Sequence, residues 1–177
     1  MVRKVILFIA MSLDGYIADK NGGVNWLDGQ NPEEGTSDAY SSLLEHIDTV
    51  IMGWNTYHQI VTELSPETWV YDSLTSYVIT HRSLPSTDKI RFTAQAPCSL
   101  VHKLKQEPGK DIWICGGAKI IQPLMKAGLI DEYHLSIIPT LLGSGIRLFD
   151  GNPAEIKLKL LHTQTANGIM DLVYTRR

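Results

Sequence analysis

The feature that most narrows the fold of this chain is Gly116-Gly117-Ala118. It is set between the apolar run Ile112-Trp113-Ile114-Cys115 and a segment with apolar residues at helical spacing, Ile120, Ile121, Leu124 and Met125. Glycine reaches backbone dihedrals closed to other residues and leaves room for a ligand to approach the main chain. A helix that starts just beyond such a pair directs unpaired N–H groups at an anion. Strand, paired glycines and helix together are the layout of a nucleotide-phosphate site. A Gly-Gly pair is also a common turn, so the flanking sequence has to decide between the two.

Those flanks alternate. Short apolar runs rich in β-branched residues at 5–11, 49–52, 77–80 and 112–115 read as buried parallel strands. Helical patterns separate them. Ser37 or Asp38 can cap a segment running through Leu43, Leu44 and Ile47, and a second begins after Pro97 with Leu100, Val101 and Leu104 on one face. After Asp131 the pattern turns to strands at 133–138, 156–165 and 169–175, with Asn167-Gly168 as the turn of an antiparallel hairpin. Such an order predicts an α/β sheet with crossover helices and a hairpin at its edge. The stretch 22–35, rich in Gly, Asn, Asp and Glu, is the one long loop, of the kind that serves as a functional lid.

At 177 residues the chain is most economically a single domain, 1–177, with a sizeable core. Its formal charge of −3 and lack of a basic run give no footprint for nucleic acid or an anionic membrane, so a small molecule is the expected partner. No apolar stretch approaches the roughly 20 residues that span a bilayer. Arg3 and Lys4 precede the first apolar run, which lacks a small-residue cleavage site and reads as a strand, not a signal peptide. Two isolated cysteines, Cys98 and Cys115, suit neither a disulfide framework nor a zinc site, and a reducing, cytoplasmic setting is expected. The six histidines show no metal-ligand spacing, so no metal is expected. Ser144 lacks the flanking pattern of a hydrolase nucleophile, and Cys115 reads as a small buried hydrophobe.

Three groups of residues carry a family resemblance. Gly128-Leu129-Ile130-Asp131-Glu132, then 133–138, Pro139, Leu142-Gly143-Ser144-Gly145 and Leu148-Phe149 resemble the signature of the riboflavin-biosynthesis reductase domain. This is the RibD C-terminal family of the dihydrofolate reductase-like superfamily. Residues 11–18 with Gly22-Gly23-Val24-Asn25-Trp26, and Val50-Ile51-Met52-Gly53-Trp54-Asn55-Thr56-Tyr57, fit the same family in order, so the resemblance covers nearly the whole chain. It implies a three-layer α/β/α fold with a mixed, mainly parallel sheet, NADPH as cofactor and a homodimer joined through the C-terminal strands. It also implies hydride transfer to a C=N or C=O of a pyrimidine- or pteridine-like heterocycle, with 5-amino-6-(5-phosphoribosylamino)uracil reductase activity in riboflavin biosynthesis as one expected form. The alternatives are a dihydrofolate reductase with weak activity and a nucleotide-binding protein without chemistry.

In open α/β sheets ligands sit beyond the carboxyl ends of the strands, which here are Ala10, Gly53, Thr80 and Gly116. By resemblance Ala10 and Ile17 contact the carboxamide end of nicotinamide, and Gly53, Asn55 and Thr56 offer donors to the phosphates. Gly116, Gly117, Ala118, Lys119 and Ile120 cradle the pyrophosphate, with a cis peptide between the two glycines. The family commonly has Arg where Trp54 stands. Arg82 is the available partner for an adenosine 2′-phosphate, or is a solvated loop cation, while Trp54 either stacks on adenine or packs at a strand end. Asp38 falls near the acid that engages the heterocycle, supported by the Ser136 hydroxyl, or is only a helix cap. Trp26 corresponds to the aromatic of a mobile loop, or is a core residue, and Asp14 reads as part of a tight turn. In the family a Lys usually stands at Phe8, an acid at Cys115, and an Asp-Pro-x-Leu-Thr stretch at 59–63, so this chain departs from the pattern at the substrate end.

Overall fold

The runs of β-branched and aliphatic residues form strands buried on both faces, and this forces helices onto each side of one sheet. A computed structural model of the chain describes residues 2–31, 33–35, 37–150 and 155–177. In chain order the elements are β1 (Val5–Ser12), β2 (Tyr16–Ala18), α1 (Ala39–His46), β3 (Ile47–Gly53), α2 (Trp54–Gln59), which runs into a π-helical turn (Ile60–Leu64), β4 (Thr75–Ile79), β5 (Ile90–Thr93), α3 (Pro97–Gln106), β6 (Asp111–Gly116), α4 (Ala118–Lys126), β7 (Glu132–Ile138), β8 (Ile146–Arg147), β9 (Leu158–Ala166) and β10 (Ile169–Arg176). Eight strands make one sheet in the order β5-β4-β3-β6-β1-β7-β10-β9, and β2 pairs with β8 in a separate ribbon. All strands from β5 to β7 in that order are parallel. β10 is antiparallel to both its neighbours. The expected three-layer, mixed and mainly parallel α/β architecture with an antiparallel C-terminal hairpin is the one observed.

Side-chain alternation sorts the core into two layers. Val5 and Leu7 of β1, Ile112 and Ile114 of β6, and Tyr133 and Leu135 of β7 pack with Leu100 and Leu104 of α3 and Ile121 and Leu124 of α4. The opposite face buries Ile6, Val50, Met52, Val78 and Trp113 with Leu43 of α1 and Ile60 of the π-helical turn. Truncating a fully buried leucine such as Leu104 or Leu124 to alanine would cost about 2–5 kcal/mol, because neighbours refill the space only in part.

Several boundaries differ from expectation. Ile47 begins β3 instead of ending α1. Asp48 interrupts the apolar run there and conceals the strand start; its carboxylate pairs with the buried Arg3 guanidinium. β9 starts at Leu158, two residues later than the apolar pattern suggests. The hairpin turn is as expected, with Asn167 at φ 51° and Gly168 at φ 73°, the conformations a two-residue hairpin turn of this kind needs. The long loop, apart from Pro32, which lies outside the described residues, is tied to this turn. Gln30 N–H donates to Asn167 O at 2.9 Å, Asn31 N–H to Asn167 Oδ1 at 2.7 Å, and Asn167 Nδ2 to the carbonyls of Asn31 and Glu34 at 2.8 and 3.2 Å.

Candidate functional site

The parallel strands deliver the paired glycines and the second loop to one place. Met52 and Gly116 are partners in the β3–β6 register, so α2 and α4 begin side by side. A Cβ on Gly53 would approach Ile120 Cγ1 to 3.2 Å, which explains glycine at that strand end by close packing. A Cβ on Gly117 would meet only Thr56 Oγ1, at 3.8 Å, so the space over the start of α4 is open. Gly116 holds φ at +133°, which disfavours any side chain, whereas Gly117 caps α4 at φ −81°, open to all residues. The Gly116–Gly117 peptide is cis. Gly53, Thr56, Gly116, Gly117, Ala118 and Ile120 therefore meet around one opening, with Asn55 and Lys119 exposed at the first turns of α2 and α4. Free N–H groups at the start of α4 and a small-residue surface fit a dinucleotide's phosphates.

A second group forms beyond β4. The Arg82 guanidinium lies over the Trp54 ring, 4.6 Å from its centroid. The ring also packs on Tyr57 and His58, with centroids 5.6 and 5.5 Å away. Thr80 is buried, and its hydroxyl accepts the Arg82 backbone N–H at 3.2 Å. The two residues with separate readings in the sequence are thus one stacked pair on the exposed surface beyond the strand ends.

The third group lies on the α1 face of the sheet. Ala10, Ser136 and Asp171 stand in register across β1, β7 and β10. Ser136 Oγ donates to Asp171 Oδ1 at 2.5 Å, and Ser37 Oγ, just before α1, donates to Asp171 Oδ2. Asp38 is exposed; it flanks α1 without a side-chain cap hydrogen bond and instead receives Gln164 Nε2 at 3.3 Å. Ser136 therefore supports Asp171, not Asp38, and the hairpin rather than the helix supplies the buried acid. The signal for it was available: an aspartate inside the apolar strand 169–175 must find hydrogen-bond donors if it is buried. Beside this group, Phe8 packs on Tyr40, Trp113 and His134 at 6.1, 6.1 and 6.5 Å between centroids.

The remaining sequence candidates fall around these groups. Trp26 is half-buried and donates its indole N–H to Gly23 O at 3.1 Å, while Gln59 Nε2 donates to Gly22 O at 3.1 Å, which holds this loop against α2. Ile17 packs at the border of the core on the α3/α4 side. Asp14 does more than turn the chain: it accepts Ser12 Oγ at 2.6 Å, Leu142 N–H at 3.1 Å and Gly143 N–H at 2.7 Å. The Ser12 hydroxyl, aided by these backbone donors, lowers the Asp14 carboxyl to about 2. Burial pushes the Cys115 thiol up to about 11, which removes it as a thiolate nucleophile at neutral pH. A cavity of about 570 Å³ beside β5, lined by Tyr77, Arg91, Phe92 and Lys103 among others, shares no residue with the three groups. Among the described residues no cluster of His, Cys, Asp and Glu could hold a metal ion, and no helix is long and apolar enough to cross a membrane.

Residues 3–170 match the family described as the RibD C-terminal domain. The chain is 39% identical over 180 residues to the Bacillus subtilis (strain 168) protein YwjB, with 99% of each chain covered. A crystal structure of a Shewanella sp. PV-4 protein provisionally assigned to riboflavin biosynthesis superposes with a TM-score of 0.84 at 29% identity, over 98% of this chain and 99% of that one. The Thermotoga maritima diaminohydroxyphosphoribosylaminopyrimidine deaminase/5-amino-6-(5-phosphoribosylamino)uracil reductase shares the fold at TM-score 0.70 and 14% identity, with 99% of this chain matched to 57% of the larger protein.

Proposed function

Because the chain belongs to the RibD C-terminal domain family, we propose that it is an NADPH-dependent reductase that transfers hydride to a C=N or C=O of a pyrimidine- or pteridine-like heterocycle. The family supports an oxidoreductase, and 5-amino-6-(5-phosphoribosylamino)uracil reduction is the activity named for the Thermotoga relative of the same fold. The observation that carries the reading is the opening between Gly117 and Thr56, which a Cβ on Gly117 would enter.

The residues around that opening fit a dinucleotide. Gly116, Gly117, Ala118, Lys119 and Ile120 would hold the pyrophosphate, joined by Gly53, Asn55 and Thr56; Thr80, Arg82 and Trp54 would take the adenosine end; Ala10 and Ile17 would lie at the nicotinamide end. When bound, the nicotinamide supplies the reducing equivalent. The chain's own part is to orient and to exclude water. The α1 face presents Ser136, Asp171 and Asp38 to the heterocycle, with Trp26 on the neighbouring loop, and no covalent residue is required. The exposed apolar residues of the C-terminal hairpin suit a homodimer.

Calorimetric titration with NADPH tests the cofactor site. Gly117→Val, whose φ of −81° suits any residue, should keep the fold and lose at least tenfold in affinity. Equal affinity would overturn the cradle. NADPH oxidation across candidate heterocycles then separates a reductase from a protein that only binds the nucleotide.

A further inference from the structure

We propose that the cavity beside β5 is a second ligand site, which takes a hydroxylated phosphate monoester on Arg91, Lys103 and a set of hydroxyl donors. It goes beyond the reductase reading and stands apart from it, because the cavity shares no residue with the cofactor opening.

The pairing of β4 with β5 sets the geometry. Tyr77 and Arg91 are partners in that register, and Tyr77 belongs to the core layer under α3. Both side chains therefore rise on the α3 face, whereas Trp54 of the adenosine end packs on Tyr57 against the opposite layer. Two contacts with one residue fix Arg91. Its guanidinium lies 5.5 Å from the centre of the Tyr77 ring, and its Nη1 donates to the phenol oxygen at 2.9 Å. A guanidinium has several further donors, so this anchoring orients the group and leaves most of it for a ligand. Lys103, on α3, brings a second cation to the same cavity.

The hydroxyls of the lining share one condition. Tyr77 is only 7% exposed, and a buried phenol needs a partner for its proton. Its oxygen is the acceptor in the bond with Arg91, so that proton is still to be given. Ser86 Oγ accepts the Phe92 N–H at 3.0 Å, Thr87 Oγ1 the Ile90 N–H at 3.0 Å, and Thr93 Oγ1 the Gln95 N–H at 3.2 Å. A hydroxyl that accepts from the main chain has its proton to donate elsewhere. The lining thus sets two cations and four hydroxyls against one carboxylate, Asp88. An oriented guanidinium, an ammonium and O–H donors together suit the oxygens of a phosphate. A volume of about 570 Å³ also leaves room for the organic group that carries it. Asp88 is the acceptor for a hydroxyl on that group, which makes a sugar phosphate the fitting class.

Calorimetry with glucose 6-phosphate, glucose and inorganic phosphate tests this on the whole protein, with and without saturating NADPH. The ester should bind with a Kd below about 1 mM in both conditions, at least tenfold tighter than glucose and more tightly than inorganic phosphate. Arg91→Gln and Lys103→Gln, both at exposed positions, should each weaken the ester about tenfold and leave NADPH affinity and the melting temperature near wild type. Tyr77→Phe, which keeps the ring and removes the donor, should weaken it about threefold. Absence of saturable binding, glucose or inorganic phosphate that binds as well as the ester, or an affinity unchanged in both exposed-site variants would each overturn the inference. So would ester binding that vanishes when NADPH is present, since the phosphate would then sit in the cofactor opening. Failure of NADPH itself to bind strikes the reductase reading instead and leaves the comparison of ester, glucose and variants intact.

Discussion

Arg82 and Trp54 form a stacked pair that, in the proposed reading, would set cofactor preference. Stacking at 4.6 Å fixes the guanidinium above the ring without consuming its five donors. A 2′-phosphate that reaches this pair gains a charge-assisted bond worth roughly 1.5–3 kcal/mol. Arg82→Ala is therefore expected to weaken NADPH by tenfold or more and NADH by little, as parallel binding isotherms would show; an equal loss for both reduces Arg82 to a cap on the indole. Single residues were unevenly legible. The glycines announced themselves because their backbone role has few substitutes, and Thr80 and Gly53 followed from the strand ends. The partner of Ser136 did not, since register between β7 and β10, not spacing along one strand, brings Asp171 to it.

Among the elements, the turn after β1 and the loop after β7 behave as one piece. Asp14 joins them through two hydrogen bonds, from the Leu142 and Gly143 N–H groups, and Leu148 N–H, just past β8, donates to Gly15 O at 3.0 Å. The Asp14 carboxyl is depressed to about 2 from an ordinary 3.8, chiefly by the Ser12 hydroxyl. A depressed acid stabilises the folded state above its unfolded value and loses that contribution as pH falls through its folded value. Loosening of residues 140–145 is thus expected between about pH 4 and pH 2, read as faster amide exchange there. Asp14→Asn should show the faster exchange already at neutral pH and a flatter acid response. The long elements were legible from periodicity. The short ones were not: β2, β5 and β8 have two to four residues, too few for a period to register; β5 forms on the edge that β4 offers, and β2 and β8 form by pairing with each other.

At the scale of the whole molecule, the sheet ends in β9, an edge strand that shows Leu160 and Leu161 at 48% and 49% exposure, and Met170 of β10, opposite Thr165 further along the hairpin, is 45% exposed. Unpaired edges with apolar side chains recruit partners, and a homodimer through this hairpin is the expected use. Leu160→Glu with Met170→Glu should halve the mass seen by light scattering and leave NADPH binding intact; an unchanged mass would place the interface elsewhere. The strand order has a different consequence, one that concerns synthesis. β6 separates β1 from β3 yet follows β5 in the chain. A growing polypeptide that has reached Lys110 can pair β3, β4 and β5, but β1 has no neighbour in the sheet until β6 and β7 arrive. The nascent protein thus carries an orphaned apolar strand through most of translation, and its first half exposes aggregation-prone apolar surface until residues 111–116 close the gap.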